Sequence, residues 1–182
     1  MLFMHNVGEP VVQPLTARNL RQAAALMVRL RPDWWDMEGA LGQLDSGTGW
    51  ALLNNDGRVA GWLLANLFSG YRTLQIECLG YDQDGTLVIN EQLRPLLIAS
   101  EEWAKGQDCV NIRFISGSAG TSCHGMVIER PWEVLRDFAS LENETIEWFM
   151  SMGYLPSGLL PDIYGRGCHG IMLIKRLWTG QR

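Results

Sequence analysis

Apolar positions in the first third of the chain change from helical spacing to continuous runs. Between Leu20 and Leu30 they recur three or four positions apart, and the hydroxyl of Thr16 can cap the start of this helix. Trp50 to Leu53 and Val59 to Leu67 are apolar runs, and the Asn-Asn-Asp-Gly between them tolerates the positive φ of a tight turn. The pattern therefore predicts a helix followed by a β-hairpin.

The middle of the chain predicts a strand, a helix and a second strand. Thr73 to Leu79 alternates apolar and polar side chains, as a strand does. Helical spacing begins near Arg94, because Pro95 is tolerated only in a first turn, and Cys109 to Ile115 then resembles a strand. Two strands joined by a helix at this spacing predict a right-handed parallel crossover, so we expect a mixed sheet.

The last third combines a loop, two helical segments and a final strand. Ser116 to Gly125 is rich in Gly and Ser, which is typical of loops that carry sites, and Pro131 to Phe138 is a short amphipathic segment. Ser140 or Asn143 can cap the helix that follows. Gly170 to Leu177 predicts the last strand.

Composition indicates one globular domain and excludes several classes of partner. The 182 residues are 47% hydrophobic and 19% charged, enough to bury a core. The net charge is -5 without a long block of one sign, so nucleic acid is not expected as a partner. No apolar run approaches the roughly 18 residues of a membrane span, so no membrane partner is expected. Four cysteines are too few for a disulfide scaffold and predict free thiols in a reducing cytoplasm.

Three segments and the order of the elements carry a resemblance to a known family. The segments are the hairpin Asp56 to Gly61, the helix end Glu101 to Lys105, and Ile146 to Phe149 before Gly153 and Tyr154. Over nearly the whole chain this order resembles the GNAT superfamily of N-acetyltransferases. The resemblance implies an α/β (α+β) fold: a mixed, mostly antiparallel sheet of six to seven strands, with a central parallel pair and helices on both faces. It also implies a single GNAT-like domain over residues 1–182, with a loop and helix insertion at about 117–139.

The resemblance further implies an activity and a cosubstrate. Members of this superfamily pass the acetyl group of acetyl-CoA to an amine, here a primary amine of a small molecule or a protein. The cosubstrate enters where the two central parallel strands splay apart, and those strands would be Thr73 to Leu79 and Val110 to Ile115. The chain is then expected to be a cytoplasmic acetyltransferase.

Candidate catalytic groups follow from that placement. Glu77 matches the carboxylate that many members use as the base for the amine, although alternation alone explains it equally well as an exposed strand side chain. A backbone N–H just past a distortion of the first splayed strand usually meets the thioester oxygen. That position maps to Leu79, Gly80 and Tyr81, where Gly80 could allow the distortion.

Two positions depart from the family pattern. The glycine-rich pyrophosphate loop is missing, which leaves Gly85, Asn90 and Arg94 as candidate contacts at the helix start, opposed by the charges of Asp82, Asp84 and Glu91. Phe149 occupies the place of the usual tyrosine acid, so it can pack against the cosubstrate but has no proton to give. Other candidates for the proton donor are Tyr154, Tyr164 and Cys123.

The loop after the second splayed strand adds a histidine and a pair of repeated tripeptides. His124 lies where this fold would meet an acceptor, so it is a second candidate base, and a solvated loop histidine is the plain alternative. Cys123-His124-Gly125 and Cys168-His169-Gly170 supply the ligand types of a zinc site. Because adjacent side chains point apart and Cys-x-x-Cys spacing is missing, no metal is predicted.

A second class of function competes with catalysis. The missing glycines and Phe149 motivate, as the alternative to the acetyltransferase, a catalytically silent GNAT-fold protein that binds a partner or an acyl-CoA. Eight tryptophans are many for this length and are compatible with a homodimer. Trp34 and Trp35 can line an acceptor pocket or pack in the core.

Overall fold

A computed structural model of the chain describes residues 11–136 and 143–177. These residues form two compact units. The first contains the chain up to Leu67 together with Cys78–Trp103, and the second contains Phe68–Glu77 and the chain from Ala104 onward. The single domain over residues 1–182 stays a prediction. Ser140 and residues 137–139 of the predicted insertion lie outside the described residues.

The described ranges contain eight strands and five α-helices, with short 3₁₀ turns at Ser69–Tyr71 and Glu91–Leu93. The strands form a mixed, mostly antiparallel sheet. In chain order the elements are β1 (Val11–Pro14), α1 (Ala17–Leu30), α2 (Met37–Asp45), β2 (Thr48–Leu53), β3 (Val59–Phe68), β4 (Thr73–Gln83), β5 (Thr86–Val88), α3 (Arg94–Gly106), β6 (Asn111–Gly117), α4 (Pro131–Val134), α5 (Glu144–Ser151), β7 (Leu155–Leu160) and β8 (Gly170–Arg176).

The first unit contains the predicted hairpin. Strands β1 and β2 pair antiparallel from Val11↔Leu53 to Pro14↔Trp50. Strands β2 and β3 pair antiparallel with Ala51 opposite Trp62, and a register shift lies between Leu52 and Leu53. The turn between them is closed by Asn54, whose side chain accepts from two backbone N–H groups at 3.0 Å. The tight turn predicted from Asn and Gly residues is confirmed.

Helix α1 covers one face of this hairpin. Its start is fixed by Asn19, whose Oδ1 accepts from the Thr16 N–H at 2.7 Å while its Nδ2 donates to the Pro14 carbonyl at 3.0 Å. The apolar side of α1 is buried in a core that includes Trp62 and Leu64 of β3. Trp35 packs against that core. The amphipathic helix predicted from spacing is therefore confirmed, and its buried face supports β3.

Strand β5 was not predicted from the sequence. Its three residues follow a two-residue turn in which Asp84 has φ +54 and Gly85 has φ +85, and Gln83 pairs with Thr86. Asp-Gly at these positions is typical of the hairpin turns that need positive φ at both central residues. The strand is too short for alternation to reveal it.

The second unit contains the parallel pair. The first residues of β4 pair parallel with β6, from Thr73↔Asn111 to Ile76↔Phe114. On its other edge β6 pairs antiparallel with β8 over its whole length, from Asn111↔Arg176 to Gly117↔Gly170. The predicted crossover and mixed sheet are thus confirmed. The parallel pairing stops after four residue pairs, although β6 continues to Gly117.

Strand β7 brings the count to eight, above the six to seven expected. It pairs antiparallel with β8, and its register shifts between Pro156 and Gly158. Proline has no N–H for the ladder and glycine weakens a strand, so neither residue favours a strand assignment from sequence. The pairing with β8 overrides that local preference.

An aromatic cluster fills the core of the second unit. Phe149 is fully buried and stacks on Phe114, with ring centroids 4.5 Å apart and an interplanar angle of 16°. Trp148 and Tyr154 meet the Phe149 ring edge-on, both at 5.0 Å. Asn143 caps the helix that carries Phe149, since its Oδ1 accepts from the Ile146 N–H at 2.9 Å. Phe149 therefore joins α5 to β6 by packing.

This burial predicts the outcome of restoring a tyrosine at position 149. Phe149→Tyr should lower the free energy of unfolding by about 1–3 kcal/mol, because it places a hydroxyl in a closed aromatic cluster. Urea denaturation measures the change. Phe68→Tyr is the matched control, since Phe68 is 37% exposed and its stability should change by no more than about 0.5 kcal/mol. Equal stability of the two variants would contradict the prediction.

Candidate active site

Glu77 is the last residue of β4 in the second unit, and a chain of hydrogen bonds holds its carboxylate. Gln75 Nε2 donates to Glu77 Oε1 at 3.0 Å, and Arg113 Nε donates to Gln75 Oε1 at 2.7 Å. A guanidinium can only donate, so the Gln75 atom that it contacts must be the oxygen. The Gln75 amide group is thereby oriented with its NH₂ toward Glu77.

The strand register explains why these side chains meet. Gln75 lies opposite Arg113 in the parallel ladder, and Glu77 follows two positions later on the same face of β4. The Arg113 guanidinium also lies over the Phe68 ring, 5.2 Å from its centroid. Arg113 is therefore fixed between an amide and an aromatic ring, and through Gln75 it anchors the carboxylate of Glu77.

Along the edge of β6 that pairs with β4, the hydrogen-bond partner changes after Phe114. The Val110 carbonyl accepts from the Leu177 N–H, and the Ser118 N–H donates to the His169 carbonyl, so even-numbered residues of β6 bond toward β8. Ile115 therefore directs its backbone groups to the opposite edge, the one that pairs with β4. That pairing ends at Phe114. The Ile115 carbonyl instead accepts a hydrogen bond from the Tyr164 hydroxyl at 3.2 Å.

Tyr164 lies between β7 and β8, and its environment favours the protonated phenol. The residue is 56% exposed, with the hydroxyl directed at β6. Burial raises the pKa of Tyr164 above its ordinary value, and the negative charge of Glu77 raises that pKa further. Tyr164 thus remains a neutral donor at physiological pH. The structure brings it to the same region as Glu77, which sequence reasoning did not establish.

The loop that carries Tyr164 is held by its own backbone and by Asp162. Asp162 has φ +54, and its Oδ1 accepts from the Gly167 N–H at 2.8 Å. The Tyr164 N–H donates to the Cys168 carbonyl at 3.0 Å. Asparagine and aspartate tolerate this left-handed conformation better than other side chains, so Asp162 suits the position. These hydrogen bonds hold the loop in a defined turn.

His169 connects this loop to the loop after β6. Its side chain is fully buried, and Nδ1 accepts from the Asp162 N–H at 3.0 Å. Nε2 therefore carries the proton and donates to the Met126 carbonyl at 3.1 Å. The His169 N–H also donates to Ser118 Oγ at 3.0 Å. A neutral buried imidazole thus bonds to both loops.

His124, the second candidate base, belongs to the same loop cluster. Its side chain is exposed, and its Nδ1 lies 3.1 Å from Ser118 Oγ. Because Ser118 Oγ accepts from the His169 backbone N–H, its own hydroxyl can donate a hydrogen bond to His124 Nδ1. The hydrogen bond of the His124 side chain goes to Ser118 and not to Glu77. A catalytic role for His124 stays a prediction.

The loops that carry the two Cys-His-Gly tripeptides meet, and the contact is made by Gly125 and Gly167. The Gly125 N–H donates to the Gly167 carbonyl at 2.8 Å, and a Cβ built on Gly167 would lie 3.0 Å from Gly125 Cα. Glycine is therefore required where the two loops touch. Among residues 11–136 and 143–177, no three His, Cys, Asp or Glu side chains are placed to hold a metal ion. The absence of a metal stays a prediction.

The proposed thioester contacts lie in the first unit. Leu79 and Gly80 are buried, and Tyr81 is half-buried. A Cβ on Gly80 would lie 2.7 Å from Trp62 Cη2 and would overlap Leu87, so glycine allows β4 to lie close over the indole. A backbone contact of these residues with the thioester stays a prediction. Phe149, expected beside the cosubstrate, is enclosed by other rings and supports the sheet.

The start of α3, where a pyrophosphate was expected, is capped by the chain itself. Asn90 Oδ1 accepts from the Gln92 N–H at 3.1 Å, and the Asn90 carbonyl accepts from Leu93 at 2.9 Å. Arg94 forms an ion pair with Glu91, with Nη2 2.9 Å from Oε2. The hydrogen bond with Glu91 raises the pKa of Arg94. Gly85 lies in the β4–β5 turn. A diphosphate at this helix start would compete with Asn90 and Glu91.

Solved structures of N-acetyltransferases match this architecture. The aminoglycoside 6'-N-acetyltransferase from Enterococcus faecium has a TM-score of 0.73 at 15% identity, over 94% of this chain and 99% of that chain. An aminoglycoside 6'-N-acetyltransferase complexed with coenzyme A has a TM-score of 0.75 at 15% identity, with the same coverage of 94% and 99%. The ribosomal-protein-S18-alanine N-acetyltransferase from Escherichia coli has a TM-score of 0.65 at 12% identity, over 95% and 97%.

The chain has the GNAT fold. The mixed sheet with its parallel β4–β6 pair, expected from the resemblance, is confirmed. No family model and no curated protein matches the sequence. Within the described parts of this GNAT-fold chain, no helix has the length and apolar character needed to cross a membrane.

The effect of the Glu77 charge on the Tyr164 pKa predicts a titration that does not depend on any activity. Glu77→Gln should lower the pKa of Tyr164, because one of the two causes that raise it is removed, and burial should keep it above the ordinary value. Ultraviolet difference titration of each protein against its Tyr164→Phe variant measures this pKa. Because the folded protein holds the Tyr164 proton more tightly than the unfolded chain, folding stability should fall as pH rises through that pKa.

Glu129→Gln is the matched control for this titration, since Glu129 is an exposed carboxylate of the β6–α4 loop. It should leave the Tyr164 pKa unchanged. An identical Tyr164 pKa in wild type and Glu77→Gln would show that the two groups do not interact.

Proposed function

We propose that this protein transfers the acetyl group of acetyl-CoA to a primary amine of a small molecule or a protein. The observation that carries the proposal is the oriented carboxylate of Glu77, the β4 residue directly after the last parallel pair, Ile76↔Phe114, which Gln75 and Arg113 hold in place. A carboxylate that can take a proton therefore lies where the parallel pairing of β4 and β6 ends. The named activities of the structural neighbours support the same reaction class.

Acetyl-CoA would supply an activated acyl group, whose carbon–sulfur bond breaks when an amine nitrogen attacks the carbonyl carbon. We propose that a backbone N–H of Leu79, Gly80 or Tyr81 meets the thioester oxygen, as the resemblance implies. The start of α3 suits the diphosphate less well, since Asn90 and Glu91 already engage its N–H groups and Arg94. We therefore propose that the thioester end contributes most of the recognition.

Glu77 has the chemistry and the support of a general base. An amine must lose a proton as it forms an amide, and a positioned carboxylate can accept that proton directly or through water. The link through Gln75 to Arg113 restricts the carboxylate to one orientation. A base that is already oriented does not lose side-chain freedom in the transition state, which lowers the barrier.

The names of the structural neighbours support a class of acceptor, and the cysteines support a compartment. The neighbours include enzymes named for aminoglycosides and for the alanine of a ribosomal protein, so their acceptors are amines of both kinds. We propose an amine acceptor without choosing between them. All four cysteines are free thiols, and burial raises the pKa of the Cys109 thiol, which keeps it protonated. Free thiols favour a reducing compartment such as the cytoplasm. A homodimer stays a prediction, which ultracentrifugation would measure.

Glu77→Gln should lower turnover about a hundredfold or more, because the amide cannot accept the amine proton. Its affinity for acetyl-CoA, measured by calorimetry, should stay within about twofold of wild type. Turnover is measured as free thiol released with a panel of primary amines. Glu129→Gln serves again as the control and should retain full turnover.

Turnover and calorimetry together distinguish an acetyltransferase from a catalytically silent protein. No binding of acetyl-CoA at millimolar concentration would remove the enzyme proposal. Binding without thiol release on the whole amine panel would instead support the catalytically silent acyl-CoA-binding protein. An unchanged rate in Glu77→Gln would assign the base to another residue.

Glu91→Gln should tighten acetyl-CoA binding about two- to fivefold, since it removes a negative charge at the start of α3 and releases Arg94 from an exposed ion pair. Calorimetry on wild type and variant measures the ratio. S-acetylpantetheine, which lacks the diphosphate, is the control ligand and should bind both proteins equally. A Glu91→Gln variant that binds acetyl-CoA more weakly would place the diphosphate elsewhere.

A further inference from the structure

We propose that Arg113 of β6 binds a carboxylate of the acceptor, so that the amine acetylated by this protein belongs to an α-amino acid. The inference rests on the proposed acetyl transfer and names the substrate class that the same site would take. It is carried by the remaining hydrogen-bond donors of Arg113, by the distance from Arg113 to Glu77 and by the apolar side chains beside Arg113.

The first argument is charge. Arg113 is half-buried, and within residues 11–136 and 143–177 no carboxylate forms an ion pair with its guanidinium. Its hydrogen bond there runs from Nε to the neutral amide of Gln75 at 2.7 Å. More exposed arginines, such as Arg72 and Arg130, do pair with carboxylates. A guanidinium partly withdrawn from water is stabilised by an anion, so this position favours an anionic ligand.

The second argument is the set of donors that Arg113 has left. The bond to Gln75 uses the N–H on Nε, and a guanidinium carries its other N–H groups on Nη1 and Nη2. Those two nitrogens form a planar fork that matches the two oxygens of one carboxylate. The Phe68 ring lies 5.2 Å from the guanidinium carbon and restricts the position of this fork. Arg113 can therefore hold Gln75 and bind a carboxylate at the same time.

The third argument is the distance between the guanidinium and the proposed base. Gln75 joins them by hydrogen bonds of 2.7 and 3.0 Å, so Arg113 Nε and Glu77 Oε1 are at most about 8 Å apart. In an α-amino acid the nitrogen and the nearer carboxylate oxygen are about 3 Å apart, and a hydrogen bond of about 2.8 Å at each end gives a similar span. One such molecule can place its amine at Glu77 while its carboxylate lies at Arg113.

Apolar side chains beside Arg113 indicate what the rest of the acceptor is. Arg113 pairs with Ile174 of β8, and Ile115, on the same face of β6, pairs with Met172. Residues opposite each other in an antiparallel pair share a face, so these three apolar side chains lie on the face of Arg113. All three are half-buried. An amino acid with an aliphatic side chain, such as leucine, therefore suits this face better than a charged one.

The test compares leucine with leucinamide, which differ only at the carboxylate. The ratio of kcat/KM for leucine to kcat/KM for leucinamide should fall about tenfold or more in Arg113→Gln, and the intrinsic reactivity of the two amines cancels in this comparison. A disturbance of Glu77 through Gln75 would lower both rates equally and leave the ratio unchanged. Arg176→Gln is the matched control, because Arg176 is an exposed arginine of β8 and the variant should keep the wild-type ratio.

Calorimetry gives a second readout that needs no acetyl transfer. Wild type should bind N-acetylleucine about tenfold or more tightly than N-acetylleucinamide, and Arg113→Gln should bind the two equally. Affinity of Arg113→Gln for acetyl-CoA should stay within about twofold of wild type. If Arg113→Gln fails to fold, Arg113→Lys takes its place. Because lysine keeps the positive charge without the paired donors, that variant should retain only a few-fold preference.

Each outcome decides a different point. An equal ratio of the leucine and leucinamide rates in wild type and Arg113→Gln would overturn the carboxylate site and leave the proposed acetyl transfer standing. Acetylation of other amines but not of leucine would overturn it as well. Loss of acetyl-CoA affinity in Arg113→Gln would assign the guanidinium to a phosphate of the cosubstrate, against the inference. A wild type that acetylates no amine would overturn the proposed function, and N-acetylleucine binding would then decide the carboxylate site alone.

Discussion

A backbone carbonyl at a strand edge must find a hydrogen-bond donor, and at Ile115 that donor is the hydroxyl of Tyr164. The need arises because β4 pairs with β6 for only four residue pairs. Where a regular sheet would place an N–H at this edge, the protein places a phenol, and Glu77 is the carboxylate whose charge acts on it. The arrangement satisfies a strand-edge carbonyl where the ladder has ended.

Sequence periodicity predicted the parts of the fold in which burial repeats over many residues. Helix α1, the β2–β3 hairpin and the parallel crossover each have a local pattern, and all three were confirmed. Strand β5 has three residues, and β7 contains Pro156 and Gly158, so neither has a pattern that can be separated from a loop. Their pairing is decided by neighbouring strands that are already in place.

The site was predictable only where chemistry and strand position coincide. Glu77 could be named because it stands at a recognisable place on a strand, whereas its anchor depends on the register that brings Gln75 opposite Arg113. Tyr164 was one of three candidate donors, and sequence could not choose among them. The hydrogen bond of Tyr164 to Ile115, which is far away along the chain, and the turn built by Asp162 and His169 are visible only in the structure. Long-range hydrogen bonds of this kind leave no periodic signal.

Helix α5 could have served both packing and catalysis. The closed aromatic cluster around Phe149 commits it to packing. Mutations in α5 would act on the packing of this cluster, whereas mutations in the hairpin tip between β7 and β8 would act on the hydrogen bonds of Asp162 and His169. Reshaping that tip would also require the loop after β6 to change, because the buried His169 and the close approach of Gly167 to Gly125 join the two loops. The two loops should therefore vary together, as one surface.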